Sequence, residues 1–428
     1  MRNMSAYSFG KKWQSSLMPR KEQGAVAIVV ALSIVVLVGF VGLALDLGKL
    51  YVTKTELQNS ADACALAAAR ELTGASNNQL VLAESAGIAT GTNNNVFFQD
   101  DKVTLTSNNN VTFSDALNGT YQTKDAVANA LTMKFARCTV ERTGIANWFV
   151  QVLGIGDQQV RATAVASLVP GQTACAIPIV ICESSLTGKV VGDWLESVLD
   201  PGEGLTGSFL WTDFTGKGTG DIKDYLTGPG QCNLGTLTAK TGKPGSNVGA
   251  YDAWNTRFGL YKGKVTDSDI ATAQPDYTGY AYTAKNGGVD GKCANAYPLI
   301  KQNRAKNDPY LESVTGLKVA PPANSISSDK HKEYGGDRRI VSVPVVNCAD
   351  FGASQEATVK SWACVLMLHP LDQNAKDVAT QCAGSAGGVH RVFLEYLGAA
   401  NNADSPCATS GAVGGPGSIG PLVPALVQ

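Results

Sequence analysis

Residues 24–73 read GAVAIVVALSIVVLVGFVGLALDLGKLYVTKTELQNSADACALAAARELT and predict the longest element of the chain. Its first part, residues 24–45, is 22 residues long and contains no charged side chain. A helix needs about 20 apolar residues to cross roughly 30 Å of hydrocarbon. The pattern therefore predicts a transmembrane helix over residues 24–45.

The two flanks of the apolar run differ in charge, and this difference predicts the orientation of the helix. The charged residues ahead of the run are mostly basic: Arg2, Lys11, Lys12, Arg20, Lys21 and Glu22. Asp46 follows the run, so the positive-inside rule places residues 1–23 in the cytoplasm and the C-terminal bulk outside it. The alternative is a signal peptide cleaved near Gly42-Leu43-Ala44, although the hydrophobic region of a signal peptide usually has 7–15 residues.

The helix is expected to continue beyond the membrane over residues 46–73. Ala and Leu dominate this part, and both favour helix. A stripe of mostly small residues recurs at spacings that are mostly three and four: Ala61, Cys64, Ala65, Ala68 and Leu72. We expect this small-residue stripe to pack against the protein's own sheet, with a strand at residues 159–168 as its nearest partner. The alternative is packing against neighbouring subunits, as helices do in the core of a filament.

The rest of the chain divides near Pro170-Gly171, and the predicted fold class is α+β. Residues 74–170 are expected to form a small α/β region on the long helix. Residues 171–428 are expected to form a β-rich, loop-rich ectodomain with disulfides and a flexible Gly/Pro tail. The expected elements are a helix at 80–89, a helix-like segment at 145–153, and strands at 103–106, 111–113, 133–141, 159–168, 174–182, 339–346, 361–368, 389–397 and 422–427. Loops and short strands are expected over residues 200–335.

Ten cysteines follow the apolar run, and none forms a CxxC pair: Cys64, Cys138, Cys175, Cys182, Cys232, Cys293, Cys348, Cys364, Cys382 and Cys407. An even set without metal-binding spacing is typical of disulfides in an oxidising compartment such as the periplasm. The sequence leaves the connectivity open. The pairs that we expect are Cys64–Cys138, Cys232–Cys293, Cys348–Cys364 and Cys382–Cys407.

The residues that carry catalytic or metal chemistry are few. His331 is expected to be solvated in a charged loop, His369 to lie at a strand edge, and His390 to open the last strand. No GxSxG elbow and no GxxxxGK[ST] phosphate loop is present. We therefore expect no enzyme activity, no catalytic residue, no cofactor and no metal. The net charge of −1 gives no reason to expect nucleic acid as a partner.

The order of these features resembles the Tad/Flp pilus-assembly proteins of the TadG-like group. The basic segment, Gly24-Ala25, the apolar span and the Ala-rich phrase LQNSADACALAAARELTG carry the resemblance. Segments of the second half add to it: GSFLWTDFTGKGTGDIKDYLTG, KTGKPGSNVGAYDAWNTRFGLY, RRIVSVPVVNCADF and WACVLMLHPL. The resemblance implies a single-pass inner-membrane or pilus-associated protein whose partners are other pilus or secretion-system subunits. Members of the wider family are discussed as minor pilins.

Two features of the TadG-like group are altered here. Pilin-like substrates are cut after a Gly that precedes the apolar helix, which makes Gly24 and Ala25 the candidate processing site. Their fifth mature residue is Glu, where this chain has Val29. Some members also carry a von Willebrand A-type domain, whose Asp-x-Ser-x-Ser metal motif is absent from this sequence.

Three functions therefore remain as hypotheses. The first is a membrane-anchored structural or assembly component of a Tad/Flp-type adhesive pilus or a related secretion system. The second is an anchored extracytoplasmic adhesin that uses aromatic, Gly-rich loops on a surface ligand or glycan. These loops contain Trp194, Trp211 and Trp254 together with several tyrosines. The third is a periplasmic hydrolase, for which the sequence offers no convergent set of catalytic residues.

Overall fold

A computed structural model describes residues 23–200, 204–215, 219–235, 238–241, 248–262, 266–286, 293–319, 324–351, 356–371, 391–415 and 417–428. The chain divides into two compact units. Unit 1 holds the described residues up to Ser167 together with Leu426–Gln428, and unit 2 holds Leu168–Ala425.

The helices are α1 Gln23–Arg70, α2 Gln79–Gly91, α3 Thr219–Thr227, α4 Val248–Thr256, α5 Tyr297–Lys306, α6 Glu312–Thr315 and α7 Ser328–Tyr334. The first nine strands are β1 Asn95–Val96, β2 Asp101–Lys102, β3 Val111–Ser114, β4 Phe135–Ile145, β5 Gln158–Thr173, β6 Ile179–Cys182, β7 Trp194–Asp200, β8 Gly204–Gly207 and β9 Phe209–Asp213. The other strands are β10 Thr238–Thr241, β11 Leu260–Tyr261, β12 Asn324–Ser325, β13 Ile340–Val346, β14 Glu356–Met367, β15 Arg391–Ala399, β16 Ala408–Val413 and β17 Leu422–Leu426.

Unit 1 is built on α1, a single helix of 48 residues. At 1.5 Å per residue it is about 70 Å long. It ends at Arg70. Four residues later, Gly74 adopts a left-handed φ of 74° and its N–H donates to the Gln79 side chain at 2.7 Å. The prediction that one helix continues beyond the apolar run is confirmed.

Three antiparallel strands form the sheet of unit 1, in the order β3, β4 and the first part of β5. Cys138 lies opposite Val111 on one side and Ala164 on the other. Alternate residues of β4, among them Ala136 and Val140, are fully buried, as the two-residue period of a strand requires. The expected strands at 111–113, 133–141 and 159–168 are confirmed. The expected strand at 103–106 and the expected helix at 145–153 are wrong, apart from a short 3-10 turn at Val150–Leu153.

Unit 2 contains a sheet of eight strands in the order β10-β9-β6-β13-β14-β15-β7-β8. Strands β6 and β13 run parallel, whereas their other neighbours are antiparallel. The first residues of β14 also pair with β10, so five strands of the sheet form a closed ring. Every residue of β13 is buried, which a strand with both faces covered requires. The expected strands near β13, β14 and β15 are confirmed, but the described part of the region from 200 to 335 also holds five helices, α3 to α7.

A buried ionic cluster lies beside this sheet. The Asp276 carboxylate is fully buried and accepts hydrogen bonds from Arg304 Nε at 2.9 Å and from the Arg339 N–H at 3.2 Å. His331 is also fully buried, with Nδ1 2.8 Å from the Asp276 carbonyl oxygen, and burial lowers its pKa. The expectation of a solvated His331 is wrong, because α7 turns the ring inward.

The structure describes one of the two remaining histidines. His369 is fully buried and its Nε2 accepts from the Phe393 N–H at 3.1 Å, so the expected place at a strand edge is wrong. The hydrogen bond of His369 lies within the core and has a structural role. His390 lies outside the described residues.

Four disulfides are present among the described residues: Cys64–Cys138, Cys175–Cys232, Cys182–Cys348 and Cys364–Cys407. The first is the pair expected from the sequence. Cys293 is also disulfide-bonded, and Cys382 lies outside the described residues.

The other expected pairings are wrong because Cys232, Cys348, Cys364 and Cys407 bond to other partners. Cys364 lies opposite Ser342 on β13, well before Cys348. Cys348 instead follows β13 next to Cys182, since Val346 and Cys182 are partners in the parallel pair. A bridge between Ala176 and Gln231 brings Cys175 to Cys232, which excludes the expected bond to Cys293.

Candidate membrane anchor and its junction with the sheet

The first half of α1 carries its apolar side chains on the outside. The large apolar side chains from Val26 to Leu47 are between 43% exposed, at Leu43, and 69% exposed, at Val35. This helix is long and apolar enough to cross a membrane. An apolar surface of this extent is unfavourable in water, so lipid or another protein must cover it. Gly24 and Ala25, the candidate processing site, lie in the first turn of α1, and cleavage between them stays a prediction.

The second half of α1 buries one face instead. All residues of the small-residue stripe are buried. Leu72 is 5% exposed, and the others have no exposed surface: Ala61, Cys64, Ala65 and Ala68. Their partners are mainly α2 and β4, not the strand at 159–168 that the sequence suggested as nearest. That strand, β5, adds Ala162, Ala164 and Ala166 to the same core. The central position of β4 in the sheet explains the difference.

Helix α2 approaches the stripe closely because two glycines face it. A Cβ on Gly87 would lie 3.2 Å from the Ala68 Cβ, and one on Gly91 would lie 3.1 Å from the Cys64 Cβ. Ser60 Oγ closes the contact by donating to the Gly91 carbonyl oxygen at 2.9 Å. Small residues on both helices are therefore needed for this distance, as in other helix pairs of the small-xxx-small type.

Between the two halves, Asp46 fixes α1 to the connection between β4 and β5. Its carboxylate is 2% exposed and accepts hydrogen bonds from three consecutive backbone N–H groups, of Trp148 at 2.7 Å, Phe149 at 2.9 Å and Val150 at 2.8 Å. These N–H groups begin the 3-10 turn, where they have no partner within the turn. A carboxylate that accepts such donors forms strong, charge-assisted hydrogen bonds.

Lys49, almost one turn further along α1, strengthens the same junction. It is 4% exposed, and its Nζ donates to the Ala146 carbonyl oxygen at 2.7 Å. The same Nζ lies 4.7 Å from the ring centroids of both Phe97 and Trp148. These distances are typical of cation–π contacts, so the ammonium is held by a carbonyl and two aromatic faces.

Glu56 holds the turn that carries Phe97. Three consecutive residues there, Phe97, Phe98 and Gln99, have φ between 58° and 67°, a left-handed conformation that costs energy outside glycine. The Glu56 carboxylate accepts from the Phe98 N–H and from the Gln99 side chain, both at 3.1 Å. The turn is thus maintained by α1 itself.

Glu84 performs a similar role between α2 and the turn that precedes β3. Its carboxylate accepts from Ser107 Oγ at 2.6 Å and from the Asn108 N–H at 2.7 Å, and Lys124 Nζ lies 3.0 Å away. Burial alone would raise the pKa of Glu84. The two hydrogen bonds and the Lys124 ammonium outweigh it and lower the pKa below its ordinary value.

The three tryptophans that suggested a ligand-binding loop are buried and do not form a surface. Trp194 and Trp211 are 6% exposed, and Trp254 is fully buried with its Nε1 donating to the His369 carbonyl oxygen at 3.0 Å. They belong to the core of unit 2. Among the described residues, no group of three His, Cys, Asp or Glu side chains is arranged to hold a metal ion.

The sequence patterns do not predict the junction. They predict Asp46 only as a flanking charge, and residues 145–153 as helix-like. The available signal was the absence of charge over residues 143–156 between two strands, where a short polar hairpin is the usual connection.

Residues 24–71 match a family described as putative Flp pilus-assembly TadE/G-like. The matched segment spans both halves of α1 and supports a pilus-related role. No curated protein and no solved structure matches the chain. The resemblance of later segments to the TadG-like group stays a prediction.

Proposed function

We propose that this chain is a membrane-anchored structural and assembly component of a Tad/Flp-type adhesive pilus or a related secretion system, with a minor pilin-like role. One observation carries the proposal. A single unbroken helix exposes apolar side chains along its first half and buries small side chains against a sheet along its second half. The family match over residues 24–71 covers this same helix.

In this proposal α1 anchors the chain, and both units lie outside the cytoplasm of a bacterial cell at its inner membrane. The basic segment before residue 24 favours that orientation. The disulfides support it independently, because they form and persist in the periplasm rather than in the cytosol.

Reporter fusions test the orientation. Alkaline phosphatase fused after Gly74 should be active, and the same enzyme fused after Pro19 should be inactive. An inactive Gly74 fusion would refute the orientation. Full release of the chain into the soluble periplasm would instead support the cleaved signal peptide.

The partners in this proposal are other pilus or secretion-system subunits. In a filament, the exposed apolar halves of neighbouring helices would cover one another. Val29 lacks the carboxylate with which a pilin pairs the N-terminal amine of its neighbour, so this subunit would be a minor component rather than the repeating one.

Mass spectrometry of sheared, purified filaments tests incorporation. We expect peptides of unit 2 in the filament fraction at a low ratio to the main pilin, and an N-terminal peptide that begins at Ala25 if Gly24 is the processing site. Detection in the membrane fraction alone would indicate an assembly role without incorporation. Normal filaments in a deletion strain that has lost binding to a surface ligand or glycan would support the adhesin alternative.

A further inference from the structure

The connection between β4 and β5 presents an apolar surface that the anchor and assembly roles leave unexplained. Trp148 is 51% exposed, Phe149 44%, Val152 85% and Ile155 44%. No charged residue occurs from residue 143 to residue 156. A soluble hairpin connection is usually short and polar, so this one is unusual in both respects.

The position of the connection along α1 is fixed by contacts. Gly42 faces Phe149 so closely that a Cβ on the glycine would lie 2.6 Å from the Phe149 Cβ. Asp46 holds the backbone at Trp148, Phe149 and Val150. The apolar connection therefore lies beside the last turn of the 24–45 run, because Gly42 precedes Asp46 by about 6 Å along the helix axis.

The connection is closed on itself and does not depend on a ligand for its shape. The Asn147 side chain is 5% exposed and donates to the carbonyl oxygens of Ile155 at 3.3 Å and Gly156 at 2.8 Å. Lys49 secures its start at Ala146. The exposed side chains are thus displayed from a fixed backbone.

We propose that residues 147–155 enter the interfacial layer of the non-cytoplasmic leaflet beside α1, as a second contact of this protein with lipid. This inference rests on the proposed membrane anchoring. The occupant of the apolar surface is lipid because Phe149 lies against Gly42, inside the run of α1 whose large apolar side chains are exposed. Tryptophan is enriched at this depth, where its apolar ring and its polar N–H are both satisfied.

The test uses the full chain with Trp13→Phe, which removes the tryptophan on the opposite side of the apolar run, reconstituted in nanodiscs that hold one chain each. Brominated phosphatidylcholine should quench a blue-shifted emission component that disappears in Trp148→Phe. Val152→Asp should remove most of that quenching. Val81→Asp, at a 46% exposed valine on α2, is the matched control and should leave it unchanged.

The outcomes separate the two proposals. If the chain inserts in the nanodisc but bromolipid quenches Trp148 no more strongly than a water-soluble quencher does, the interfacial contact is refuted and the anchor stands. If the chain does not insert, both proposals fall. If Trp148 becomes protected only in discs that hold two chains, the apolar surface is a protein interface and the lipid contact is wrong.

Discussion

The two halves of α1 share one helical backbone and have opposite surroundings. From Val26 to Leu47 the large apolar side chains point outward, whereas Ala61, Cys64 and Ala68 have no exposed surface. Large apolar residues occur on the half that we propose faces lipid, and small residues occur where another backbone packs closely. In this proposal, side-chain size more than hydrophobicity distinguishes a surface for lipid from a surface for close protein packing.

The strongest test of the buried half is to remove its covalent bond. The Cys64–Cys138 disulfide closes a loop of 74 residues, so the double substitution to serine should lower the free energy of unfolding of unit 1 by about 4 kcal/mol. Hydrogen exchange of α2 amides in the full chain should report the loss. The Cys175→Ser/Cys232→Ser pair in unit 2 is the control. Unchanged exchange in α2 would show that the helix is held by packing alone.

The exposed half is tested by placing a charge in it. Val36→Arg lies near the centre of the apolar run and should oppose insertion by about 2.5–3.5 kcal/mol on the translocon scale. The fraction of the chain that resists carbonate extraction should fall. Val81→Arg, on the exposed surface of α2, should not change it. Full resistance in Val36→Arg would mean that this face lies against protein instead of lipid.

Overpacking the stripe separates its two possible partners. Ala68→Trp should cost about 1–3 kcal/mol, because Gly87 leaves no space for a larger side chain at this point. Thermal unfolding of unit 1 should occur at a lower temperature, while Arg70→Trp, at an exposed position, should have little effect. If Ala68→Trp melts normally and filament assembly fails in cells, the stripe contacts neighbouring subunits.

The smallest effect is expected at Glu84, as a dependence on pH. Because the folded pKa of Glu84 lies below its ordinary value of 4.5, its contribution to stability is complete above that value and is lost as the pH falls through the folded pKa. The protection of α2 amides from exchange should therefore decline below about pH 4.5. Glu84→Gln should weaken this decline, and Asp115→Asn, at an exposed carboxylate, should not. An identical decline in all three proteins would exclude Glu84 as its cause.

The helix and most core strands were predictable because their patterns are local. The uncharged run and the small-residue spacing specify α1, and alternation specifies β4 and β5. The helices of unit 2 were not predictable, because α3 and α4 are only nine residues each in a Gly- and Thr-rich region.

Pairings between distant residues escaped prediction for a different reason. The parallel register of β6 and β13 decides the Cys182–Cys348 bond, and no spacing in the sequence encodes that register. The same holds for Asp46, whose partners lie about one hundred positions later in the chain. The sequence contains the residues of both contacts, but it does not show which residues lie next to them in the fold.

The Cys64–Cys138 bond also has a mechanical meaning. If α1 is held in a membrane or a filament and β4 is pulled away from it, tension passes through the sulfur atoms instead of through the 74-residue segment between them. Unravelled, that segment would extend by about 250 Å at roughly 3.4 Å per residue. The bond therefore makes the attachment of the sheet to its anchoring helix nearly inextensible, so that a sustained pull loads the anchor before it lengthens the protein.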